Sequence, residues 1–222
     1  MLRAPTLGAL GTLLISSGLA AQICAGAASF GGRPIQLFGE GTFNNSAKSF
    51  VGSVRIGGKG AFGDLELGTT HVDAFNASSF DIGGGVAYQV KLDPKGSVQL
   101  CPAASVGFLI GPKNIQGTGI DYSETALAFG LGIGVLASRT EQVDIMPTAS
   151  VVFENADAKL KDQTGATTSN SQSFGVIEFG LGFVFSKQVT LKPIVAIPVG
   201  LTGGNTSFSV ALGISLGGSH AN

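Results

Sequence analysis

The segment FGVIEFGLGFVFS, residues 174–186, most constrains the fold of this chain. Ile177, Phe179, Leu181, Phe183 and Phe185 fall on one side of an extended strand, and Val176, Glu178, Gly180, Gly182 and Val184 on the other. A half-buried sheet in water would set Lys, Glu and Thr opposite its apolar face. Here the opposite face is small residues and a single carboxylate, so the large apolar face is the outer one and needs a solvent other than water.

The same period of two runs through the chain. Leu127, Phe129, Leu131, Ile133 and Val135 alternate with Ala126, Ala128, Gly130, Gly132 and Gly134. Phe208, Val210, Leu212, Ile214 and Leu216 alternate with Ser207, Ser209, Ala211, Gly213 and Ser215. No segment shows a convincing helical period. Charged residues make up 12% of the chain, against about 25% in an ordinary soluble domain. Glycine supplies 35 of 222 residues, far above the usual share of about 7%. The net charge of −1 and the absence of a basic cluster leave no footprint for nucleic acid.

The pattern predicts ten strands, at about 34–43, 49–57, 61–72, 79–90, 97–111, 120–137, 142–154, 173–186, 189–201 and 205–216. The turns GGKG, KLDPKG, SRTEQ and KQ are short. NNSAK, the region of DAFNAS, PKNIQGTG and the polar stretch 155–172 make longer loops on the opposite side. The expected fold is all-β: a closed antiparallel transmembrane β-barrel of ten strands, with eight as the alternative count. Closure pairs every backbone polar group, which lipid demands because an unpaired group there costs several kcal/mol. In the third strand the outward row passes from Leu65 and Leu67 to Thr69 and His71, so that strand is expected to leave the lipid early.

Residues 1–21 have the form of a signal peptide. Arg3 is followed by the apolar run 7–19 and the small residues before Gln22. Cys24 is not preceded by the small residue that lipoprotein processing favours. Residues 22–32 then form a periplasmic N-terminal segment, 33–217 the barrel and 218–222 a tail.

Residues 33–217 resemble the small bacterial outer-membrane β-barrels, the opacity-type and outer-membrane-protein-A-like barrel domains. The likeness rests on the leader, the alternation, the asymmetry of turns and the apolar-alternating last strand FSVALGISLG. It implies a bacterial outer-membrane location and a structural or porin-like role. Outer-membrane lipid and the barrel-assembly machinery are the implied partners, with small solutes as permeants and no cofactor. Two features depart from the pattern. The chain runs on through GGSHAN where an aromatic residue usually closes the last strand. It also has no Trp and two Tyr, so interfacial aromatic belts must be built from phenylalanines such as Phe43, Phe50, Phe80, Phe153 and Phe174.

Cys101 has lumen parity low in the fifth expected strand, and Cys24 precedes the first. In an oxidising compartment the pair is expected to form a disulfide pinning residues 22–32 across or into the lower lumen, two unrelated thiols being the alternative. Reflecting the second strand onto the third about the turn 57–60 sets Arg55 beside Asp64 and diagonal to Glu66. Asp144 and Lys192 are expected at similar heights, and Glu40 and Glu178 higher. These seven form either an ion-pair network or a charged constriction for solutes.

No metal site is expected from two Cys and two His, and no catalytic centre is assigned. His71 with Asp73 and Asp81 near the outer rim is the residue group that would serve a barrel protease or lipid-modifying enzyme, and it reads as a solvated loop. An interaction role through the loop 155–172 is a further alternative, as is a secreted soluble β-sandwich, which would require charged outer faces that the chain lacks.

A closed barrel resists detergent until heated. Unboiled protein from the membrane fraction is therefore expected to migrate faster in electrophoresis than boiled protein, and recovery in the soluble fraction without that shift would point to the sandwich.

Overall fold

The computed structural model describes residues 23–28, 30, 33–58, 60–73, 76–111, 120–201 and 204–217. The expected signal peptide and the tail 218–222 lie outside the described residues. Twelve strands follow in order: β1 (Ile35–Phe43), β2 (Ala47–Gly57), β3 (Ala61–Val72), β4 (Ala77–Tyr88), β5 (Val90–Lys91), β6 (Val98–Ile110), β7 (Asp121–Val135), β8 (Ser138–Arg139), β9 (Val143–Lys161), β10 (Thr167–Phe185), β11 (Val189–Val199) and β12 (Ser207–Leu216). β5 and β8 are two-residue pieces at turns. The other ten close into a single antiparallel barrel, in which β9 pairs with β10 and the first long strand pairs with the last.

The first-to-last seam runs from Ile35 opposite Leu216 to Phe43 opposite Phe208. It leaves no barrel edge for lipid to desolvate. The outer wall carries Phe50, Leu65, Val86, Phe129, Val151 and Leu212, each 59–71% exposed. A chain in water would not leave such a continuous apolar belt uncovered, whereas a membrane covers it at no cost in polar contacts. The inner row, in contrast, is buried: Gln36, Ser53, Asp64, Ala126, Ala128, Val152, Thr190 and Ala211 all face the lumen.

The stretch 155–172 is not a loop. β9 continues to Lys161 and β10 begins at Thr167, paired from Lys161 opposite Thr167 down to Asn155 opposite Ser173. On its other side the end of β9 pairs with β7, as far as Lys161 opposite Asp121. The polarity that marks this stretch reflects wet faces above the membrane, not a break in the sheet. The turn itself is 162–166, where the Asp162 carboxylate accepts from the Thr164 amide, the Thr164 hydroxyl and the Ala166 amide. Those bonds, the Thr164 hydroxyl first, hold Asp162 below the usual carboxylate range.

The two faces predict opposite responses to substitution. Leu131→Arg sets a charge in lipid and is expected to cost about 2–4 kcal/mol. Gly132→Ser, whose Cβ would lie 3.8 Å from its nearest neighbours in the lumen, is expected to be mild. Denaturant titration of refolded protein in vesicles measures both, and the reverse order would exchange inside for outside.

Candidate functional site

The lumen is filled from the bottom by the chain's own N-terminal segment. Ile23, Cys24, Ala25, Ala27, Ala28 and Phe30 are all buried. Cys24 and Cys101 form a disulfide with their Cα atoms 6.2 Å apart, 77 residues apart in sequence. The Ile23 amide donates to the Gln99 side-chain oxygen (3.3 Å), and the Ala28 amide to the Thr190 hydroxyl (3.3 Å). The Ala28 carbonyl accepts from the Gln36 side-chain amide at 2.6 Å. Just below, the Arg33 guanidinium donates to the Lys187 carbonyl at 2.6 Å, bracing a tight turn in which Ser186 and Lys187 are left-handed.

Glycines on the wall make room for this plug. A Cβ on Gly134 would overlap the Ile23 carbonyl, and one on Gly182 would overlap the Gly26 backbone. Gly134 and Gly182 are thus part of the seat of residues 23–28. Around them Ile23 and Ala28 pack on Met146 and Val184, and Phe30 on Phe62 at 5.9 Å between ring centres.

Above the plug lie the charged residues. Arg55 is opposite Asp64 in the β2–β3 ladder, and Ser53 is opposite Glu66. The Arg55 guanidinium stacks over the Phe38 ring at 4.0 Å and lies in the fields of Asp64, Glu66 and Glu40. Lys192 lies in those of Glu178 and Glu40, and its chain runs against Gly180, where a Cβ would meet Cε at 2.6 Å. Glu178 accepts from the Ser150 hydroxyl at 2.8 Å. Asp144 stands apart: it is 3.7 Å from Arg139 Nε, and Met146, packed against the plug, lies between it and the rest of β9's lumen row.

Three further carboxylates face the lumen higher up, where the sequence reading placed none. Asp81 and Glu124 lie on either side of Leu109 in the ladder β4–β6–β7, and Glu154 is on β9. Asp81 accepts from the Thr70 hydroxyl at 2.7 Å, and Tyr122 donates to Glu124. Parity on β4, β7 and β9 was the signal available for all three. Asp81 therefore does not join His71, whose ring faces outward. His71 Nδ1 instead meets the Ser78 hydroxyl at 3.1 Å, and His71 Nε2 lies 3.8 Å from Asp73. Among the described residues no three His, Cys, Asp or Glu side chains are placed to hold a metal ion.

The outer mouth closes across its diameter. Ala47 and Val72 on one wall pack with Leu109, Tyr122, Ala158 and Leu160 on the other, and Phe174 packs with Ala126, Ala156 and Leu201 beside them. Between cap and plug a cavity of about 30 Å³ remains beside Asp64, Glu66, Asp81 and Gly83–Gly85, enough for a water or two.

No family model and no curated protein matches the chain. Solved structures similar to it are membrane barrels. The N-terminal β-barrel domain of OprF from Pseudomonas aeruginosa is 13% identical over 82% of this chain and 96% of its own, with a TM-score of 0.40. Ail, the attachment invasion locus protein of Yersinia pestis, solved with the heparin analogue sucrose octasulfate, is 13% identical over 82% and 96%, at 0.42. The NanC porin is 11% identical over 82% and 100%, at 0.40.

Gly134→Val and Gly182→Val push a side chain into the seat of the plug. Both are expected to raise the fraction of alkylatable cysteine while keeping the heat-dependent shift in migration. An intact disulfide in both variants would show that the segment does not need those glycines.

Proposed function

We propose that this chain is an integral protein of the bacterial outer membrane, inserted by the barrel-assembly machinery, whose barrel is a sealed structural body and not an open porin. One observation carries the reading. Five of the lumen charges are closed off from water: Glu40 is 8% exposed, Arg55 5%, Asp64 8%, Glu124 3% and Glu154 3%, while Glu66, Asp81, Asp144, Glu178 and Lys192 are half-buried. A water-filled pore would wet such residues, since charged rings in conducting barrels work by meeting hydrated ions.

The charges then act within the wall. Taking a carboxylate and a guanidinium out of water is costly unless they satisfy one another. Arg55 among Asp64, Glu66 and Glu40, with Lys192 beside Glu178, supplies that compensation and fixes the register of β2, β3, β10 and β11 from inside. The disulfide, by the chain-entropy estimate for a loop of this length, adds about 4 kcal/mol. A second reading follows from the β9–β10 hairpin, which rises above the paired part of β11 and presents Thr167–Ser173 to the outside. It is the surface through which a sealed barrel would meet another molecule.

Purified protein in planar bilayers is expected to leave the membrane non-conducting. Cys24→Ser frees one seal while leaving the apolar cap, so it too is expected to stay silent. Steady ion-selective current through the wild-type protein would overturn the sealed reading in favour of a charged constriction for small solutes.

A further inference from the structure

A serine, a histidine and an aspartate converge on the lipid-facing wall near the outer end of the barrel. His71 belongs to the outward row of β3 and is directly opposite Ser78 on β4 and Lys48 on β2. Its Nδ1 is 3.1 Å from the Ser78 hydroxyl oxygen, and its Nε2 is 3.8 Å from Asp73 Oδ1. With the imidazole proton on Nε2, facing the carboxylate, Nδ1 is free to accept from Ser78. That is the arrangement of a nucleophile, its general base and the group that orients the base.

The depth of the site names its substrate. Two residues below His71, Thr69 is flanked by Phe50 and Phe80. Phe43 and Phe208 continue the row of Lys48, His71 and Ser78 itself, and the four phenylalanines together make an outward aromatic band of the kind that marks the membrane interface. Ser78 and His71 therefore lie in the upper row of that band, at the depth where the acyl chains of a lipid join its headgroup. The His71 and Asp73 side chains are 40% and 47% exposed on this outer wall, so they are open to lipid without any movement of the barrel. Lys48, exposed in the same row, lies on the far side of His71 from Ser78.

We propose that Ser78, His71 and Asp73 form a hydrolytic centre for the carboxylic esters of membrane lipids. Ser78 Oγ attacks the ester carbonyl as its proton passes to His71 Nδ1. The tetrahedral intermediate collapses, the carbon–oxygen bond to the alcohol breaks, and the departing oxygen takes the proton from the imidazolium, which Asp73 has stabilised. Water, deprotonated by the same nitrogen, then attacks the acyl-serine, releases the fatty acid and restores Ser78. The net reaction is ester plus water to acid plus alcohol, and it draws on no metal and no cofactor.

Folded protein is incubated with phosphatidylethanolamine–phosphatidylglycerol vesicles and, separately, with lipopolysaccharide, and released fatty acid is measured by mass spectrometry. A fluorophosphonate probe, followed by peptide mapping, reports the nucleophile independently of the lipid. The expected result is fatty-acid release in one arm, which identifies the lipid, and labelling at Ser78. Ser78→Ala should abolish both, and His71→Ala should lower both by about two to four orders of magnitude, while each variant keeps its heat-dependent migration. Neither release nor labelling above a protein-free blank, or activity undiminished in Ser78→Ala, would overturn the assignment.

Discussion

In hydrocarbon a backbone amide has no water to turn to. A strand can enter only if both of its edges are paired, and the last edge can be paired only by the first strand. The nine-residue seam between β1 and β12 is therefore the contact on which the other nine interfaces of the ten-stranded barrel depend. The rest of the chain is arranged around that requirement. Apolar side chains take the outer face because lipid is there, and glycine, serine and alanine take the inner face because a ten-stranded ring leaves limited width for side chains, all the more with a peptide inside it.

The same constraint explains how charge is handled. A soluble domain spreads its charges over a wet surface. Here the middle of the chain has no wet outer surface, so the charges needed for specificity go inside and must be satisfied there. Arg55 illustrates the solution: one face of the guanidinium is stacked on Phe38 while carboxylates of β1 and β3 surround it. Where the apolar cap and the plug exclude water, each pairing is strengthened and the cost of losing one partner rises.

Much of this was legible in the sequence because a period of two, once assigned an outside, fixes the facing of every residue in a strand. Residues 174–186 were enough to set the outside, and the turn 57–60 was enough to pair Arg55 with Asp64. What escaped notice has physical causes as well. The 155–172 stretch is polar because it lies above the membrane, and polarity was taken for the end of pairing. Asp81 was grouped with His71 by closeness in sequence, although their parities put a wall between them. Ser78 fell one residue short of the expected start of its strand and so had no assigned face. Glu124 and Glu154 had lumen parity, but their depth depended on strand lengths that hydropathy alone does not supply.

The hydrogen bonds of Ala28 have one more consequence. Its amide is held by Thr190 on β11 and its carbonyl by Gln36 on β1, the two strands that flank β12 on either side. A six-residue peptide anchored to β6 by a disulfide therefore grips both neighbours of the last strand to arrive. Cys24 and Cys101 are both synthesised before β7, so the covalent ring can close while the second half of the chain is still to come. The later strands can then pair around a peptide already tethered to β6, and Ala28 is fully bonded only when β11 and β1 flank β12.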